Sequence, residues 1–171
     1  MPVKNPKELF VLLLSNVRNG VQRHAAIYQE WSQLVQDQDI KEAIDARIFP
    51  TEKTLSTLDE CFRLIGEQPV KTTGRMLEVF AEDFRRELSE IQSPIARHLF
   101  ILAKAQHLTH MRIGEYLTLI AAADMTGDYG VGVLLESCLA DKLAVIERTR
   151  RLDRHVIESR VGTKLVACGA L

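Results

Sequence analysis

His24 and His110 fall where apolar repeats of alternating three- and four-residue steps would turn them inward, and few other residues offer chemistry. His24 sits in the run Phe10, Leu13, Val17, Val21, Tyr28, Trp31 and Val35, an almost unbroken helical stripe. His110 sits in a second run, Leu99, Ala103, Gln106, Ile113, Leu117 and Ile120. Asp141 lies in a third, with Leu134, Cys138, Val145, Arg148 and Leu152. Three such helices could bring His24, His110 and Asp141 to one metal ion. The competing expectation is a buried polar network, in which each histidine bonds to Gln106, Thr109 or Tyr28. No HxxxH or ExxH spacing places two ligands on one turn, which favours the network.

Other reactive groups carry less. Cys61, Cys138 and Cys168 are an odd number without CxxC spacing, so neither a disulfide framework nor a zinc knuckle is expected. Cys61 and Cys138 fall in apolar patterns and read as small buried hydrophobes. Tyr28 and Trp31 at helical spacing read as packing. Arg148, Arg150, Arg151 and Arg154 cluster at a helix end and are interleaved with Glu147, Asp153 and Glu158, which reads as a solvated face. No GxSxG, phosphate-binding loop or dinucleotide fingerprint occurs; Gly127 to Gly132 is a turn.

The elements that must position these residues are helices. Among 171 residues, nine Gly and five Pro leave too few turns for an all-β fold, and 46% hydrophobic content supports one packed domain. Lys and Arg number 22 against 23 Asp and Glu, a formal charge of −1 that disfavours nucleic acid or an anionic membrane as partner. The apolar run from Leu9 to Leu14 ends at Ser15, too short for a membrane span or a secretory leader, so a cytoplasmic location is expected. Five helical segments follow from the periodicity. The first opens at Asn5-Pro6. The second starts near Asp39, is kinked at Pro50 and stops at Gly66. The third spans about Thr73 to Ile91, the fourth opens at Ser93-Pro94, and the fifth follows the turn at Thr126 to Gly130. One domain is expected over residues 1–153, with a partly ordered tail over 154–171.

Several stretches resemble the YciE/YciF family of bacterial ferritin-like proteins. They are Leu13-Leu14-Ser15, the run Phe62-Arg63-Leu64-Ile65-Gly66-Glu67-Gln68-Pro69, and Leu77-Glu78-Val79-Phe80-Ala81-Glu82. Ala105, His110, Ile113, Tyr116, Thr118 and Leu119 resemble a fourth stretch of that family. The resemblance spans roughly residues 5 to 152. It implies an all-α, ferritin-like four-helix bundle with an additional crossover helix, usually dimeric and associated with bacterial stress. Chemistry on that fold needs carboxylates and histidines projecting inward from four helices around two metal ions.

At the positions that match those ligands, the sequence departs from the family. Val21 stands in place of a first-helix Glu, and the second helix reads Arg47-Ile48-Phe49-Pro50-Thr51-Glu52-Lys53-Thr54. Thr109 and Arg112 replace the two acids flanking His110. Of three acids in the last helix only Asp141 remains, between Ala140 and Lys142, and Glu78 and Glu82 lie on the crossover helix. The expectation is therefore a non-catalytic, homodimeric, stress-associated bundle with no cofactor and no catalytic, cofactor-binding or metal residues. The alternative is a di-iron or di-manganese oxidase or iron-handling protein with substitute ligands among His24, Glu52, Glu82, His110 and Asp141. A third expectation is a small-molecule binder with an apolar pocket floored by the histidines.

Overall fold

A computed structural model describes residues 3–168, with side chains described through Arg151 and again at Arg154 and Glu158. Six helices account for it: α1 (Pro6–Gln33), α2 (Gln38–Asp45), α3 (Thr51–Ile65), α4 (Arg75–Glu90), α5 (Pro94–Thr126) and α6 (Tyr129–Cys168). No strand occurs among the described residues, and no helix is long and apolar enough to cross a membrane.

Their ends follow local chemistry. The Asn5 side chain accepts from the Glu8 amide at 2.9 Å and donates to the Glu8 carboxylate at 3.0 Å, with Pro6 in the first turn. Ser93 caps α5 in the same way, followed by Pro94. Gly66 and Gly127 end α3 and α5 with φ of 69° and 79°, the left-handed region where a side chain is strained.

The segment expected as one kinked helix is two, which makes six helices rather than five. Asp37 caps α2 by accepting from the Asp39 and Ile40 amides at 3.1 and 3.2 Å. Pro50, with no amide hydrogen and a ring that crowds the preceding turn, prevents α2 from running into α3. The backbone of α6 is helical past Asp153 as far as Cys168.

The helices α1, α5 and α6, with α2 and α3 stacked end to end as the fourth, form a bundle; α4 crosses outside it against α1 and α5. The crossover is held in part by a bidentate pair, Arg85 to Glu30, at 2.7 Å for each bond. Trp31, fully buried, stacks on Phe84 of α4 with ring centroids 4.2 Å apart and meets Tyr28 edge-on at 5.9 Å. Tyr28 and Trp31 are packing residues, as expected, and Cys61 and Cys138 are buried free thiols.

The core has two apolar lobes. One joins Ile27, Trp31, Ile40, Ile44, Phe84 and Leu108; the other joins Phe10, Leu14, Val17, Leu58, Tyr116 and Leu135. Along α1 the lobes meet between Val21 and Ile27, and along α5 between Leu108 and Tyr116. The stripe expected on α1 is the buried one, but the stripe expected on α5 is rotated. Leu99 and Leu117 are exposed, and the buried face is Ile101, Leu102, Ala105, Leu108, Thr109, Arg112, Tyr116 and Leu119. Apolar residues occur nearly all round α5, so its periodicity fits more than one phase. The phase is testable by substitution. Leu108→Ala should cost about 2–5 kcal/mol in urea unfolding, and Leu117→Ala should fall within about 0.5 kcal/mol of the parent.

Candidate functional site

Between the two lobes lies a polar layer to which every arm of the bundle contributes. From α1 come His24 and Tyr28, from the α2–α3 connection Arg47, from α3 Thr51, from α5 Thr109 and Arg112, and from α6 Lys142. They surround a cavity of about 30 Å³. That is room for one or two water-sized species, far below the several hundred Å³ of pockets for organic ligands. A larger surface groove of about 650 Å³ runs beside α1 and α5 near Thr72, Gly74 and Met111, and neither His24 nor His110 lines it. A pocket floored by both histidines is therefore not present among the described residues.

Arg112 anchors the layer. Its side chain reaches from α5 to α1 and is 3% exposed. One guanidinium nitrogen donates to the Val17 carbonyl at 3.1 Å and lies 2.7 Å from a Glu115 carboxylate oxygen one turn along α5. The path exists because residue 20 is glycine: a Cβ there would stand 2.5 Å from another guanidinium nitrogen. Arg47, 4% exposed, donates to the Ala43 carbonyl at the end of α2. The Tyr28 hydroxyl pairs with the Thr109 hydroxyl at 2.9 Å, and Thr109 also donates to the Ala105 carbonyl at 2.9 Å.

The electrostatics follow from packing cations together out of water. Burial is the main force lowering the His24 pKa well below 6.5, with Arg112 and Lys142 adding repulsion, so its imidazole is neutral at pH 7. Burial, then Arg112, lowers Lys142 to about 8. Burial raises the Glu115 carboxyl, and Arg112 opposes that shift. The Nε2 of His24 is buried and has no hydrogen-bond partner among the described residues.

The residues proposed from sequence as ligands do not come together. His110 is exposed on α5, with Nδ1 2.9 Å from the Gln106 carbonyl of its own helix. This corrects the expectation that it faces His24, and the rotated phase of α5 is the cause. Asp141 bonds to Lys53 at 2.6 Å at the bundle surface, and Glu52 and Glu82 are exposed on α3 and α4. No group of three or more His, Cys, Asp or Glu among the described residues could hold a metal ion. The groups at the bundle centre are opposite in charge to the carboxylates that hold two divalent ions, and they do not fit such a centre. Arg148, Arg150, Arg151 and Arg154 fall in the middle of α6 rather than at a helix end as expected, because the helix runs on past Asp153; they are exposed, with Arg150 and Arg151 paired to Glu147 and Arg154 to Glu158. Burial raises the Cys61 thiol to about 12, so it is not a ready nucleophile.

Sequence reasoning placed Arg112 and Lys142 near the centre and missed Arg47 and Gly20. Arg47 lies seven residues after Ile40 and three after Ile44, on the buried side of α2 projected forward. Gly20 in mid-helix, one residue before an inward Val21, was a visible sign of a close approach.

A bundle of four arms with an outer crossover helix, and side chains from every arm meeting at its centre, defines an all-α helical-bundle protein. Within that class the chain belongs to the family described as the domain of unknown function DUF892, whose model matches residues 5–161. Similar solved structures include YcfI, a candidate structural protein from Rhodopseudomonas palustris. It is 20% identical with a TM-score of 0.80, over 86% of this chain and 94% of that one. The Escherichia coli stress protein YciF is 19% identical with a TM-score of 0.79, over 91% and 97% of the two chains. A protein from Xanthomonas campestris is 14% identical with a TM-score of 0.63, over 94% and 99%. No curated protein matches the sequence.

Two measurements test this geometry. Gly20→Ala should destabilise the protein by about 1–3 kcal/mol because it displaces a buried guanidinium. In an Arg112→Met background the same change should stabilise by roughly 0.5–1 kcal/mol, the usual gain of alanine over glycine in a helix. Compared with Lys142→Met, urea unfolding of the parent in halide-free buffer should show stability gained from pH 8 towards 10.5, since unfolded chains keep the Lys142 proton where the native state has released it; the fall caused by the buried thiols and tyrosines over the same range is common to both proteins. The gain is on the order of 2 kcal/mol and should be absent in Lys142→Met.

Proposed function

We propose that this chain is a non-catalytic bundle protein of the YciF type that works by association, as a cytoplasmic homodimer in a stress-associated role, without an iron or manganese cofactor. One observation carries the reading: the side chains that converge from the arms of the bundle are His24, Arg47, Arg112 and Lys142 rather than carboxylates. A di-metal centre would need its charge held against these cations, and Glu115, the acid beside Arg112, is already engaged with it. The stress role is suggested by the name of the Escherichia coli relative, and a structural rather than catalytic role by the description of the Rhodopseudomonas palustris one. Exposed apolar side chains provide contact surface for association: Phe49 is 93% exposed, and Met125, Tyr129 and Val133 stand out around the α5–α6 turn.

Protein purified without chelators or a polyhistidine tag should contain no stoichiometric iron or manganese by plasma mass spectrometry. Its melting temperature should not move on adding either ion, and it should sediment as a dimer. Two metal ions per chain, lost on His24→Ala or Asp141→Asn, would instead establish the iron-handling alternative.

A further inference from the structure

We propose that the outer face of α5 is a self-complementary surface on which a second copy of this chain docks, its own α5 antiparallel about a twofold axis level with residue 112. The inference deepens the homodimer reading above and rests on it. Charge is the first argument. From Ala96 to Ala121 no exposed residue of α5 is Asp, Glu, Lys or Arg. The charged residues of that stretch are all turned aside. Arg97 donates to the Leu88 and Ile91 carbonyls, Lys104 pairs with Glu87, and Arg112 with Glu115. By contrast α3 exposes Lys53, Asp59 and Arg63, and α4 exposes Glu82, Arg85 and Arg86, as solvated faces do. A helix apolar nearly all round is one that is covered all round, yet the chain leaves Leu117 55% and Met125 81% exposed.

Shape is the second argument. Gly114 lies in mid-helix, where glycine is less stable than alanine, and a Cβ there would meet nothing within 4 Å. The Arg112 guanidinium accounts for Gly20, but no close approach within the chain accounts for Gly114; one from outside does. Two α5 helices antiparallel about that axis bring Leu99 to Met125, Ala103 to Ala121, His107 to Leu117 and His110 to Gly114 of the other copy. Large side chains meet large ones at the ends, small meet small between, and an imidazole meets the glycine. A twofold contact needs a patch that matches itself in this way, and a contact with an unlike protein does not.

Area is the third. From Leu99 to Met125 the face runs about 40 Å and is about 10 Å across. With the exposed Val133 and Leu143 of α6, the helix packed on α5, its corrugated surface is on the order of 600 Å², close to the roughly 800 Å² each partner gives a standard interface.

The test follows the full chain by sedimentation velocity. The parent should remain a dimer down to about 1 μM. Ala103→Glu and Ala121→Lys, both at exposed positions, should keep the helical circular dichroism and each raise the dimer dissociation constant at least about a hundredfold. Within one chain the two sites are about 27 Å apart and cannot pair. Across the axis they meet twice, so the chain carrying both substitutions should dimerise again. A dimer that stays intact in either single variant would overturn this face and leave the homodimer reading to another surface. Single variants that dissociate with no recovery in the double variant would overturn the antiparallel pairing. A parent monomeric at every concentration, its α5 face left to an unlike protein or a lipid surface, would overturn both readings.

Discussion

The bundle depends on one side chain crossing from α5 to α1. Arg112, itself 3% exposed, carries a permanent charge out of water, and a guanidinium so placed is tolerated only where its hydrogens find acceptors. The Val17 carbonyl accepts one of them at 3.1 Å, and the Glu115 carboxylate 2.7 Å away offsets the charge as an ion pair. Both helices must then sit at a fixed separation and register, and α1 must lack a Cβ at Gly20, since any other residue would occupy the space the guanidinium needs. Hydrophobic burial above and below could hold the helices in several registers. The polar layer selects one, as buried polar groups do when their alternatives leave bonds unmade.

The layer also explains why the core has two lobes. Around Trp31 and Phe84 the packing reaches outward to the crossover helix, so one lobe joins α4 to the bundle. Around Leu14, Leu58 and Leu135 the packing joins α1, α3 and α6. Between them, His24, Thr109, Arg112 and Lys142 interrupt helices that are apolar on either side. In the di-metal carboxylate bundles the central break holds carboxylates and metal ions. Here the same break is occupied by groups of the opposite sign, so the departure concerns charge at one level of the bundle rather than the fold.

Much of this was legible in the sequence. The α1 stripe from Phe10 to Val35 has only one inward face, and its phase was read correctly, as were the caps at Asn5-Pro6 and Ser93-Pro94. Val21, Arg112 and Lys142 already announced that acids had left the centre. Residue pattern failed where a helix has no distinct polar face. Apolar residues at Leu99, Leu117 and Ile120 drew the α5 stripe about one position off, which carried His110 inward on paper and outward in the structure. Pro50 marked an interruption, but its extent was not readable, because a kinked helix and two helices joined by a short turn over residues 46–50 share the same signals. Arg47 was overlooked because a charged residue in a connection reads as solvated. Its burial is decided by α2 docking on α1 and α6, which is tertiary information.

The most direct test of a cationic rather than carboxylate centre is the protonation state of His24, followed by nitrogen NMR of its imidazole in halide-free buffer. With buried cations around it and no acid facing it, His24 should still be neutral at pH 6.5 and should titrate only well below that value. A His24 half-protonated at or above pH 6.5, as expected for an imidazole facing carboxylates, would contradict the account.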